Sequence, residues 1–245
     1  LVDYTVQLYD GELNLKTSGY RTPFSPRSAC SEYHPGAACH GEPTGGSLKT
    51  DPKRTQRKAG FLTSVWFAPG TSIAPSGNRF ASNVLTTEAK AYQEHERRAT
   101  HLDNVAKVAY YSSDAPDIYW GFEHHEVYRQ YPYVGLNSFA NSKMECNDGA
   151  KTKINRYTPL CRDWYTKARD NPSRDAVFGK VALEADSGLP FVSVSQAIYT
   201  SGDEFVGVAA VSANLAYIQA LLENTKFYEF GNCYLFDSDG WVVYH

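Results

Sequence analysis

The chain lacks most of the features that would announce a function at once. In 245 residues no apolar run reaches the roughly 20 residues that a membrane-crossing helix needs. No basic leader with an apolar middle opens it. The net charge is only −3, which leaves no electrostatic footprint for nucleic acid. None of the cysteines has C-x-x-C spacing, so zinc-ribbon and thioredoxin-like readings have no support. There is no G-x-S-x-G, no phosphate-cradling glycine loop and no H-E-x-x-H. No catalytic residue, metal site or cofactor is therefore assigned, and the chain is not expected to be an enzyme. Sequons for N-glycosylation are missing too, because Asn171 is followed by Pro172.

What is present is an ordinary globular composition, 42% apolar and 21% charged, enough for one large domain or two modest ones. It opens at Leu1 and stops at His245 inside a strand-like run, so a mature or excised segment of a longer polypeptide is expected. The cysteines are Cys30, Cys39, Cys146, Cys161 and Cys233. A secreted disulfide framework fits them better than metal binding. Cys146 and Cys161 flank a polar loop, and Cys30 and Cys39 enclose a short Gly/Pro/His loop. Either pair can form a staple, with Cys233 left over; the alternative is that all are buried thiols.

The most informative stretch is Tyr157-Thr158-Pro159-Leu160-Cys161-Arg162-Asp163-Trp164-Tyr165. Arg162 offers a fork of donors matched to a carboxylate. Trp164 and Tyr165 offer flat apolar walls with polar tips. Such a cluster suits a small-molecule pocket, although an Arg beside aromatics is also a common surface cation–π arrangement.

This Y-x4-R-x-W-Y run resembles the signature of the Cache superfamily, in particular its double-Cache extracellular sensor domains and the related region of calcium-channel α2δ-type subunits. Further pieces fit in order. Ile118-Tyr119-Trp120-Gly121-Phe122 and Val127-Tyr128-Arg129-Gln130-Tyr131 look like the first hairpin, 188–199 and 205–215 like the closing strand pair, and 234–245 like the start of a second module. The resemblance covers roughly residues 84 to 245; residues 1–60 match nothing. It implies that Arg162, Trp164 and Tyr165 hold a ligand carboxylate, with Tyr157 lining the site. It also implies an Asp late in the closing strand for a ligand ammonium, but Ser212 stands there. Leu183 and Ala185 occupy the places of a further Tyr and Asp. The carboxylate clamp is kept and the amine anchor is not, which favours a simple carboxylate, or no ligand, over an α-amino acid.

Along the chain, Val2, Tyr4, Val6 and Leu8 alternate with polar neighbours before Asp10-Gly11, which predicts a β-hairpin with Leu13 and Leu15. Residues 18–60 read as a long Pro/Gly-rich loop. Its basic run, Lys49, Lys53, Arg54, Arg57 and Lys58, reads as a solvated face or a contact for anionic glycan or lipid. A buried strand is expected at 61–67. A long helix is expected over 84–111, from apolar residues at three- and four-residue steps. Strands follow at 117–122 and 126–131, an irregular loop to about 150, a short helix at 162–170, strands at 191–199 and 204–213, a helix at 214–223 and a terminal hairpin.

The fold class is thus α+β: a PAS-like Cache module with a long N-terminal helix on an antiparallel sheet, an N-terminal β-hairpin and the start of a second module. The divisions are 1–60, 61–225 (the membrane-distal module) and 226–245. Glu123-His124-His125-Glu126 reads as a solvated turn rather than a metal site, His95 and His101 do not share a helix face, and Asp237-Ser238-Asp239-Gly240 reads as a tight turn that lacks the distal Glu of a calcium loop.

The expected function is an extracellular or cell-surface module for a small carboxylate. Self-association or a membrane-protein partner is expected, without nucleic acid and without a span in this segment. The alternative is a structural subunit of an extracellular filament or surface assembly, in which residues 1–16 add a strand to a neighbour.

Overall fold

The structure is a computed structural model. It describes residues 1–10, 49–60, 65–67, 98–99, 101–134, 159–183, 190–215, 234–236, 240 and 242–244. The main body is an antiparallel sheet built from β3 (Val65–Phe67), β4 (Ile118–Phe122), β5 (Tyr128–Tyr131), β7 (Val177–Phe178), β8 (Ala182–Leu183), β9 (Pro190–Tyr199) and β10 (Phe205–Asn214). The spatial order is β3-β5-β4-β10-β9-β7, with β8 also on β9. Closing strand β10 therefore lies between the first strand of the hairpin, β4, and its own partner, β9. Two smaller pairings stand beside it. β1 (Lys49–Asp51), β2 (Arg54–Gly60) and β6 (Tyr133–Val134) form one, and β11 (Leu235–Phe236) with β12 (Val242–Tyr244) forms the other.

One face of the main sheet carries the apolar core. Ile118, Trp120 and Phe122 of β4 point to it with Tyr131, Ile198 and Ala209 from the flanking strands. Helix α2 (Leu102–Ser112) covers them with Leu102, Ala106 and Tyr110, a stripe at four-residue steps that lies on one helix face. The helix stops where Ser113 turns extended and Pro116 follows. Arg129 is also on this face, fully buried, and its Nη2 lies 2.8 Å from Asp103 Oδ1 on α2. An 11-residue helix stands at the C-terminal end of the span where a long helix was expected, and the positions before Arg98 lie outside the described residues.

Two expectations fail near the N-terminus. Residues Val2–Tyr9 form α1, an α-helix, and not a strand. Leu1, Thr5 and Leu8 fall one turn apart, so a short apolar segment satisfies the helical period as well as the alternating one. Burial decides: Thr5 and Leu8 are inaccessible, Leu8 sits in the core cluster, and Tyr9 packs 5.5 Å from Phe122. Burying Leu8 contributes about 2 kcal/mol that a solvated hairpin forgoes. The strand-addition mode of assembly thus has no strand at residues 2–9.

The second correction concerns 49–60, read as loop, which is the hairpin β1–β2. Its turn brings Lys53 onto the end of α2. The ammonium hydrogen-bonds to the carbonyls of Tyr110 and Ser113, reaches Ala115 O at 3.1 Å and lies 3.9 Å above the Tyr110 ring. A cation at a helix C-terminus satisfies carbonyls that have no partner in the helix itself. Lys53 is a cap, not a solvated loop charge. The remainder of the loop, the loop after 134, the helix expected at 214–223 and the segment 61–64 lie outside the described residues. Among the described residues no helix is long and apolar enough to cross a membrane.

Candidate functional site

The opposite face of the sheet meets α3 (Asp163–Arg169), where the sequence motif lies. Arg162 is the extended residue that opens this helix, half-buried, with φ −80° and ψ 141°. Its N–H donates to Pro159 O at 2.9 Å, and its carbonyl accepts from Tyr165 N and Thr166 N at 2.9 and 2.8 Å. Asp163 Oδ2 accepts from Lys180 N at 2.8 Å, which ties the helix start to the strand-rich segment that follows.

Trp164 and Tyr165 are successive residues, so they leave the helix about 100° apart. Both are buried, and their rings meet edge to face at 5.6 Å. They reach the sheet because β4 has a glycine there. A Cβ on Gly121 would stand 2.7 Å from Pro159 Cβ and 2.9 Å from both the Trp164 and the Tyr165 rings. Behind it, a Cβ on Gly207 of β10 would collide with the Gly121 carbonyl oxygen. Gly121 thus makes the hollow into which the aromatic wall settles, and Gly207 lets β10 run close against β4 there.

This face is buried but carries more polar groups than the core face, where Arg129 pairs with Asp103. Tyr119 packs 4.9 Å from Trp164, and its hydroxyl donates to Ser193 Oγ at 2.6 Å. Ser195 Oγ donates to the Trp164 carbonyl at 2.7 Å. On β5, Tyr128 OH donates to Gln130 Oε1 at 2.7 Å, and Gln130 Nε2 donates to Asp117 Oδ1 at 2.9 Å. Asp117 and Ser193 are each 4% exposed and Gln130 6%, so these are interior groups held by one another rather than by bulk water.

Ser212 lies on the same face, buried, and its N–H donates to Asp117 O at 3.0 Å. Tyr165 turns its hydroxyl to Glu123 Oε2 at 2.7 Å, at the β4–β5 turn. Burial first, and then the Glu123 hydrogen bond and charge, push its proton loss well above the ordinary phenol range. Trp164 is therefore the inner wall, while Tyr165 anchors α3 to the end of β4.

Tyr157 lies outside the described residues, as do Ala185 and Cys30, Cys39, Cys146 and Cys233. Leu183 is on β8. Cys161 is exposed and disulfide-bonded, one residue before Arg162. The sequence reading missed Asp117, Tyr119, Tyr128, Gln130, Ser193 and Ser195. A signal for two of them was available: Ser193 and Ser195 are polar at period two, alternating with Val192 and Val194, which marks a polar face on one side of the strand. The His124–Glu126 turn is a single 3₁₀ turn, and among the described residues no His/Cys/Asp/Glu group is arranged to hold a metal.

No family model matches the chain, and no curated protein matches it. Solved structures do, among them ligand-binding domains of chemoreceptors. The domain of the Pseudomonas aeruginosa amino-acid chemoreceptor PctC in complex with GABA is 19% identical, with 66% of this chain and 59% of that chain covered and a TM-score of 0.43. The domain of Campylobacter jejuni Tlp3 with L-norvaline is 20% identical, with coverages of 60% and 51% and a TM-score of 0.42. That of Pseudomonas fluorescens CtaA with L-serine is 19% identical, with coverages of 58% and 53% and a TM-score of 0.38. The match spans about half the length of these domains.

Proposed function

We propose that this chain is an extracellular Cache-type sensory module that binds a small carboxylate-bearing ligand between α3 and the polar face of the sheet. The observation that carries the reading is the asymmetry of that sheet. Apart from the Arg129–Asp103 pair, one face is packed with apolar side chains against α2, whereas the other, which α3 covers in part, buries hydroxyls, an amide and a carboxylate. A purely architectural face gains nothing from polar groups that cost free energy to desolvate; a recognition face needs them.

In this reading Arg162 grips the carboxylate with charge-assisted bonds, and the Trp164 and Tyr119 rings fix the plane of the ligand. Its position at the hinge between the disulfide-bonded Cys161 and α3 lets ligand capture bias how α3 sits on the sheet. From there the Arg129–Asp103 pair connects β5 to α2, a route to a second copy or to a membrane-protein partner. The disulfide at Cys161 supports an oxidising, extracytoplasmic compartment. Catalysis has no part in this reading.

A thermal-shift screen of short carboxylates tests it. A ligand at about a hundred times its dissociation constant adds roughly 2.7 kcal/mol of stability. The reading expects at least one carboxylate to raise the melting temperature of the native chain and to leave the Arg162→Ala variant unmoved. Equal shifts in both proteins, or none across the panel, would remove it.

A further inference from the structure

The last carbonyls of a helix have no partner within it and carry its negative end. At the end of α2 they are gathered with others beyond it. Tyr110 lies in the last turn, and Ser113 follows with φ −132° and ψ 171°, which takes the chain out of the helical path. The Ser113 hydroxyl holds that bend, donating to Ala109 O at 2.7 Å and accepting from Ala115 N at 3.2 Å. The Tyr110 ring closes one side. It is fully buried and meets the Tyr131 ring edge to face at 5.8 Å, so the core fixes it. The result is a cage of neutral acceptors, the carbonyl oxygens of Tyr110, Ser113 and Ala115, beside an aromatic face.

Lys53 fills this cage from elsewhere in the chain. It stands in the two-residue turn between Asp51 and Arg54, at the tip of the β1–β2 hairpin. Its ammonium carries three donors, meets the three carbonyls and lies 3.9 Å above the ring. At its other end the hairpin is joined to β6, where Ala59 pairs with Val134 and Gly60 with Tyr133. None of the acceptors belongs to the hairpin, and the groups that shape the cage lie outside it as well. The cage therefore does not need the hairpin to exist. Carbonyls that take N–H donors and a ring that takes positive charge together select a primary ammonium.

We propose that the end of α2 is an amine-binding site, held closed by the protein's own Lys53 and open to a small primary amine when the β1–β2 tip lifts. The hairpin is then a strap with one latch, and an external amine competes with that latch by mass action. Ala115 leads through Pro116 to Asp117, which accepts from Gln130 Nε2 at 2.9 Å, so the occupant of the cage bears on the entry to the polar face of the sheet. The site is built on α2 and stands or falls apart from Arg162.

Chemical rescue on the whole chain tests the inference. Lys53→Ala is expected to lower the melting temperature. n-Propylammonium, which matches the carbons and the nitrogen that alanine lacks, is expected to restore about half of the loss or more along a saturating curve. Tetramethylammonium, a cation without donors, and potassium chloride at the same ionic strength are expected to restore little. In the native chain, excess n-propylammonium should speed amide exchange in β1–β2 while the end of α2 stays protected. Should Lys53→Ala fail to fold, Lys53→Met, which keeps the stem, is titrated with ammonium chloride in the same way. No loss in the variant, no saturable recovery, or equal recovery with tetramethylammonium or potassium overturns the amine site. Exchange in β1–β2 that is indifferent to the amine overturns the strap.

Discussion

Gly121 and Trp164 occupy one space between them: a Cβ on the glycine would stand 2.9 Å from the indole ring. The strand position with no side chain is what allows the helix that carries Arg162 to lie flat on the sheet.

Gly121→Ala should therefore act on the site more than on the fold. The new methyl group meets Pro159, Trp164 and Tyr165 together, so α3 must lift. Overpacking of this kind costs about 1–3 kcal/mol. Denaturant unfolding should show that loss, and carboxylate binding should weaken beyond it because the Arg162 end of the ligand site moves with the helix.

The Arg129–Asp103 pair predicts an asymmetric response. Arg129 is fully buried and the Asp103 side chain is 20% exposed. Asp103→Ala takes a carboxylate from the buried guanidinium and should cost up to about 3–5 kcal/mol. Replacing both at once, Arg129→Met with Asp103→Leu, should be much milder. A double-mutant cycle by denaturant melts measures the difference; equal losses for the single and double variants would show that the pair is not coupled.

Alkaline stability should report on Tyr165 and Tyr131. Both phenols are raised above their ordinary pKa, burial being the largest cause in each, followed by Glu123 for Tyr165 and by the charges of Tyr111 and Asp103 for Tyr131. A folded-state pKa above the unfolded one means stability that is whole below the unfolded value, near pH 10, and lost as pH climbs past it. Tyrosinate absorbance for these two groups should appear only with unfolding. Tyr165→Phe should lower stability at neutral pH by about 1–2 kcal/mol through the lost hydrogen bond to Glu123, and should flatten the alkaline decline.

Lys53→Met should loosen the last turn of α2. Three carbonyls lose a shared donor and the Tyr110 ring loses its cation. The expected loss is about 1–2 kcal/mol, with faster amide exchange at the C-terminal end of α2 and little change in β9 and β10.

Elements with sustained patterns were legible in the sequence. The long alternating runs gave β9 and β10 to within a residue, and the turn from Pro159 gave α3. Residues 1–9 were misread because two periods fit so short a run, and only packing against β9 and α2 chooses the helix. Lys53 was misread because its partners lie 57 to 62 residues away. The site was legible in the same uneven way. Arg162, Trp164 and Tyr165 are contiguous and announce themselves. Tyr119 and Ser193, 74 residues apart, meet only after β10 has slid between β4 and β9. Asp117 is merely the first position of the strand expected at 117–122, and only the register shows it beside Ser212.

Titration calorimetry of the native chain and of Arg162→Ala with one small carboxylate that stabilises the fold tests the central claim most directly. The account predicts saturable one-to-one binding to the native protein and a loss of about 1.5–3 kcal/mol or more in the variant, the worth of a charge-assisted contact. Undiminished affinity in Arg162→Ala would contradict it.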